Sequence, residues 1–240
     1  MRSLLFAPAD SDRKLDKAFA SGTDAVIIDL EDSVALEGKP LARERAAAFV
    51  AAAASAPERP QLIVRINSLQ SGLADADLDA VVRAAPHAIL LPKSEGAASI
   101  IHLAAKLTAR EAVHGLPDGH IRTIAIATET AASLFRLSTY AGASERLVGM
   151  TWGAEDLSAD LGASANRDAD GRFLEPYRLA RTLCLAGAVA ARVAPIDTVY
   201  VDFRDEARPA SDFDHPHNWH NQHTKPYEEK LEHFIKDRRE

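Results

Sequence analysis

The sequence predicts an α/β fold, a TIM (β/α)8-type barrel lacking a recognisable eighth strand and ending in a divergent polar tail, and three observations predict it. Short apolar runs rich in Val, Ile and Leu alternate with longer Ala-rich amphipathic stretches, the rhythm of βα units repeated around a parallel sheet. Most of the runs lack polar alternation, as strands buried on both faces do. Charged residues follow directly after the runs, where a parallel barrel carries its chemistry at the carboxyl ends of its strands.

Taken in order, the first run, Ser3 to Ala7, leads to a helical stretch over Asp12 to Ala20. Ala25 to Asp29 precedes a helix over Pro40 to Ala54, whose proline suits the first turn because its missing N–H has no intrahelical partner there. Gln61 to Ile66 is followed by Asp75 to Ala85, and Ala88 to Leu91 by Ala97 to Thr108. Thr123 to Ala127 precedes Thr130 to Tyr140; Leu147 to Thr151 precedes Pro176 to Arg192, again with proline at its start. Thr198 to Val201 is the seventh and last run. Closure of a βα barrel takes eight, and an open edge exposes unpaired backbone groups. Residues 1–206 therefore read as a barrel domain, and 207–240 as a divergent tail in which Tyr227, Leu231, Phe234 and Ile235 have the one-sided spacing of a short helix.

A chain of 240 residues with 47% hydrophobic content buries one full α/β core. Its net charge of -7 argues against a nucleic-acid footprint, which needs clustered Lys and Arg. The single Cys184 has no partner for an internal disulfide and reads as a packed hydrophobe in a helical run, which fits a reducing cytoplasm. The apolar N-terminal run is too short for a signal peptide, and no segment approaches a membrane span.

At the strand ends stand Asp29-Leu30-Glu31-Asp32, Arg65-Ile66-Asn67, Pro92-Lys93, Thr128-Glu129-Thr130, Trp152-Gly153-Ala154-Glu155-Asp156 and Asp202-Phe203-Arg204-Asp205. Carboxylates gathered at one mouth repel unless a cation compensates them, and hard oxygen ligands with open positions describe a Mg2+ site. An acid after a strand also serves as a helix cap. Glu129 escapes that reading because Thr128 or Thr130 can cap instead, whereas Asp156 is open to both, since Asp156-Leu157-Ser158 starts a helical pattern. Arg65 ends an apolar strand and needs an anion, either a carboxylate of the protein or one of a substrate, and the substrate is the favoured reading.

Six segments in register resemble the HpcH/HpaI aldolase and citrate lyase superfamily, and within it the CitE-like (citrate lyase beta-subunit-like) acyl-CoA lyases, over about residues 1–206. They are Arg2-Ser3-Leu4-Leu5-Phe6-Ala7-Pro8-Ala9, Asp29-Leu30-Glu31-Asp32-Ser33-Val34, Val64-Arg65-Ile66-Asn67, Leu91-Pro92-Lys93, Ala127-Thr128-Glu129-Thr130-Ala131, and the stretch from Trp152 to Gly162. The resemblance implies a TIM barrel, a homo-oligomer of trimeric or hexameric type, and Mg2+-dependent retro-Claisen cleavage of a malyl-, citramalyl- or citryl-type 3-hydroxyacyl-CoA to an acyl-CoA and a 2-keto acid. It implies Glu129 and Asp156 as metal carboxylates. Arg65 would contact the keto-acid end of the substrate and stabilise the enolate, with Asp32 and Glu31 in an acidic loop beside the site and Lys93 a further substrate contact. Two other readings stay open: a class II aldolase for 2-keto-3-deoxy sugar acids, and a non-catalytic barrel retained for binding. The tail departs from the family pattern, lacks its Ile-His-Pro eighth strand, and carries His215, His217, His220 and His223 at spacings that permit chelation.

Overall fold

The computed structural model describes residues 3–56 and 59–199. Among these described residues seven strands form one parallel sheet in the order of the chain, curled into part of a barrel: β1 (Leu4–Pro8), β2 (Ala25–Asp29), β3 (Gln61–Arg65), β4 (Ala88–Leu91), β5 (Arg122–Ile126), β6 (Leu147–Thr151) and β7 (Ala194–Ile196). Among the described residues β1 and β7 have a sheet neighbour on one side only. Between the strands run α1 (Asp12–Phe19), α2 (Lys39–Ala53), α3 (Ala74–Val81), α4 (Ala97–Val113), α5 (Ala131–Leu134), α6 (Glu155–Asp160) and α7 (Glu175–Ala191). Proline stands in the first turn of both α2 and α7, as expected from its spare N–H.

The period of two along each strand splits the apolar residues into two layers. Val26, Ile28, Leu62, Val64, Ile89, Leu91 and Ala125 face the helices and join the larger core with Leu15, Val50, Leu78, Leu103, Tyr140 and Tyr177. Ala25, Ile27, Ile63, Ala88, Leu90, Ile124 and Ile126 face the concave side and make a smaller core of their own. Asp29 and Arg65 continue the second series and lie side by side in the β2–β3 register, so the strand pattern itself delivers them to the carboxyl end of the concave face.

Several expectations need correction. The seventh strand lies at Ala194–Ile196, where it pairs with Gly149–Thr151, while Thr198 and Val199 are outside any strand. The stretch Thr130 to Tyr140 is two short pieces, α5 and a 3-10 turn over Leu137–Tyr140, rather than one helix. The fourth helix continues past Thr108 to Val113, and the third ends at Val81, passing into a 3-10 turn over Val82–Ala84. Cys184 is buried in α7 as a packed side chain, its thiol pushed up to about 12 by burial. The tail 207–240, its histidines and the stretch Asp202 to Asp205 lie outside the described residues. Among those that are described, no helix is long and apolar enough to cross a membrane.

Candidate active site

The acidic loop after β2 is organised from Asp29. Its Oδ1 accepts the Glu31 N–H at 2.9 Å and its Oδ2 the Ser33 N–H at 3.1 Å, which closes the loop on the strand that carries it. The same carboxylate grips Arg65 in a fork, with Nε donating to Oδ1 and Nη2 to Oδ2, each at 2.7 Å. The anion that Arg65 requires is thus supplied by the protein, which corrects the expectation that the substrate supplies it. A neighbouring strand already presents a carboxylate at the matching register position. Burial works to raise the Asp29 carboxyl, but Arg65, the Ser33 side chain and the Glu31 N–H outweigh it and hold it below its ordinary value of 3.8. On its other side the guanidinium carbon lies 5.1 Å from the centre of the Phe6 ring, and Nη1 lies 3.1 Å from Glu31 Oε2, out of line for a hydrogen bond. Asp32 Oδ2 is 3.6 Å from the same nitrogen, with its side chain 57% exposed.

Glu31, Lys93 and Asp156 continue this row of alternating charge. Lys93 Nζ lies 2.7 Å from Glu31 Oε1 and 3.2 Å from Asp156 Oδ1. Burial dominates at Glu31 and raises its carboxyl despite Arg65 and Lys93. Lys93 itself is held charged: burial opposes its charge, and the Glu31, Glu129 and Asp156 carboxylates more than compensate. Asp156 sits in the first turn of α6, whose N-cap is Ala154, so it does not cap the helix.

Glu129 stands at the tip of β5 and is nearly fully buried. Thr130 caps α5 in a capping box with Ser133, leaving the glutamate free of that duty, as its sequence context suggested. Its Oε2 accepts the backbone N–H of Lys93 at 2.6 Å. Burial, with Asp156 and Glu31 nearby, pushes its carboxyl up to about 8 against the opposing pull of that N–H and of Lys93. Gly153 leaves the room this side chain occupies: a Cβ there would meet Glu129 Cγ at 2.8 Å and Oε1 at 3.1 Å. The loop carrying Gly153 and Asp156 is pinned in turn, because Trp152 Nε1 donates to Asp197 Oδ1 at 2.7 Å and the other Asp197 oxygen pairs with Arg181. Among the described residues no three His, Cys, Asp or Glu form a ready metal cage. Two carboxylates, one of them buried and raised by its acidic neighbours, fit a hard divalent cation that keeps open positions for water and substrate oxygens.

The HpcH/HpaI aldolase/citrate lyase family matches residues 2–219. The chain belongs to this family. A citrate lyase subunit beta-like protein of Mycobacterium tuberculosis is 38% identical over 205 residues, taking in 84% of this chain and 65% of the relative, so the chain spans just under two thirds of that relative's length. The crystal structure of protein CitE from Mycobacterium tuberculosis in complex with magnesium and acetoacetate is 37% identical and superposes with a TM-score of 0.68 over 84% of this chain and 74% of that one. The same protein in complex with magnesium, acetoacetate and coenzyme A superposes with a TM-score of 0.67 at 36% identity, over 84% of this chain and 67% of that chain.

In this member of the HpcH/HpaI family the structure brings Glu31, Asp32, Arg65, Lys93, Glu129 and Asp156 to one mouth. The supports beneath them went unread in the sequence. Lys39, buried at the start of α2, donates to the carbonyls of Leu30 at 2.8 Å and Glu31 at 3.0 Å. Asn67 reaches the same Leu30 carbonyl at 3.0 Å while its backbone N–H and side chain both bond to Asp77 Oδ2 at 2.7 Å. The ion pair follows from the β2–β3 register, which sets Asp29 beside Arg65; no local pattern marks Lys39, Asp77 or Asp197.

Proposed function

We propose that the chain is a Mg2+-dependent carbon–carbon lyase that cleaves a malyl-, citramalyl- or citryl-type 3-hydroxyacyl-CoA to an acyl-CoA and a 2-keto acid. The observation that carries this reading is the pair Glu129 and Asp156, tied through Lys93, beside a buried arginine. Family membership supports it, and the complexes of the mycobacterial relative with magnesium, acetoacetate and coenzyme A support both the ion and the thioester class.

Glu129 and Asp156 would hold the ion. When bound there it supplies Lewis-acid polarisation of the substrate's hydroxyl and carboxylate oxygens. The chain's own groups do the rest. Asp32, the exposed acid of the loop, takes the hydroxyl proton, with Glu31 behind it fixing the local field. As the carbon–carbon bond breaks, its electron pair passes into the thioester as an enolate and the hydroxyl carbon becomes the carbonyl of the keto acid. Arg65, prevented from turning by Asp29 and Phe6, presents its remaining N–H groups to that developing charge, a role whose loss typically costs on the order of 100-fold in rate. Return of the proton held on Asp32 to the enolate carbon completes the acyl-CoA and restores the carboxylate. The matching assembly is a homotrimer or homohexamer, read by sedimentation.

The test is calorimetric titration of glyoxylate, pyruvate and oxaloacetate with and without Mg2+, on the wild type and on Glu129→Gln, followed by assay of the three thioesters. The expected result is keto-acid uptake that requires Mg2+ and vanishes in the variant while its circular dichroism melt is retained. Equal uptake by both proteins, or cleavage of keto-deoxy sugar acids in place of the thioesters, overturns the assignment.

A further inference from the structure

Lys93 touches the three acids Glu31, Glu129 and Asp156 in two ways. Its backbone N–H holds Glu129, while its ammonium bridges Glu31 on the β2 loop and Asp156 on α6. To do both it adopts a φ of 50°, a left-handed conformation that glycine takes without strain and other residues rarely take. Glycine would serve the backbone contact better, so what the strained position retains is the side chain. The ammonium neutralises two carboxylates that otherwise repel each other and Glu129. Asp156, however, is also one of the two groups assigned to the ion, and a second cation brought to that carboxylate meets an ammonium already on it.

We propose that Lys93 is the built-in counter-ion of the acidic mouth and that Mg2+ competes with its ammonium for Asp156, so that this side chain sets the Mg2+ concentration at which the site fills. The backbone of Lys93 positions Glu129 for the ion, and its side chain opposes the ion's arrival. This inference rests on the metal reading given above.

The experiment is calorimetric titration of MgCl2 into the full chain as wild type, Lys93→Met and Lys93→Gly. Both substitutions remove the ammonium and keep the backbone N–H donor, and the glycine variant also relieves the φ strain, so it carries the test if the methionine variant fails to fold. Both are expected to bind Mg2+ at least about tenfold more tightly than the wild type, a change within reach of deleting a charge at this distance. In parallel, acetic anhydride labelling of the wild type is read by peptide mass spectrometry. Acetylation of Lys93 is expected to rise with Mg2+, while that of Lys106, paired with Asp75 away from the mouth, stays constant. Mg2+ binding that is unchanged or weaker in the variants, or Lys93 labelling indifferent to Mg2+, overturns the inference alone. A wild type that binds no Mg2+ overturns the metal reading and this inference with it.

Discussion

At the scale of single residues, Asp29 decides whether the mouth exists. Its carboxyl titrates below the ordinary 3.8, so the stabilisation it gives is complete above that pH and is lost as the pH falls through its folded value. Asp29→Asn, which leaves Arg65 buried without its fork partner, is expected to cost about 3 kcal/mol at pH 7. It should also flatten the acid limb of stability, as read by urea denaturation from about pH 5 downward through and below 3.8. Gly153→Ala tests the seat of Glu129 from the opposite side. The added methyl meets the middle of a buried side chain at 2.8 Å rather than a free end, so something has to shift. The expected result is a loss of about 1–3 kcal/mol of stability together with weaker Mg2+ uptake in calorimetry; a variant binding like the wild type would show that Glu129 has room to spare.

At the scale of elements, α4 and the start of β6 are fastened by Arg146, whose guanidinium meets the fully buried Glu111 at 2.6 Å and 2.9 Å and also bonds the Ile121 carbonyl and Asp118. Arg146→Met strands the Glu111 charge and is expected to cost about 3–5 kcal/mol in thermal or urea denaturation. Lys106→Met, which breaks an ion pair with the exposed Asp75, should cost at most about 1 kcal/mol. The difference between these two kinds of contact also explains what could be read from the sequence. Strands β2 to β6 were legible because burial on both faces writes itself into short runs without polar alternation, such as Val26-Ile27-Ile28 and Leu62-Ile63-Val64, whereas of the helices between them α6 was marked only by the pattern starting at Asp156. Strand β7 was not: Ala194-Pro195-Ile196 is a poor strand by propensity, and the β-rich Thr198-Val199 lies just beyond it, so the choice between them falls to pairing with Gly149–Thr151. The split of the stretch from Thr130 to Tyr140 likewise follows from contacts the sequence does not display. Thr139 and Tyr140 turn back to the Gly96 loop, where their hydroxyls accept the N–H groups of Ala97 and Gly96. At the site the positions of the charged side chains were legible one by one, because a parallel barrel brings whatever follows its strands to one end. Their pairing was not, because which carboxylate claims Arg65 is a matter of register between strands far apart in the chain.

At the scale of the whole molecule, the sheet is bordered among the described residues by β1 and β7, each hydrogen-bonded to one neighbour, while β3 and β4 are enclosed on both sides and on both faces. Hydrogen exchange is expected to follow that order, slowest in β3 and β4 and faster in β1 and β7, as read amide by amide in NMR; uniform protection across all seven strands would contradict it. The strand order has a last consequence. Among the described residues each strand after β1 lies against the one translated just before it, so none of them waits for a distant partner to leave the ribosome. Each βα unit can dock as it emerges, so an unfinished polypeptide already holds a correctly ordered partial core, and its liability is the unpaired edge of its newest strand until the next one arrives.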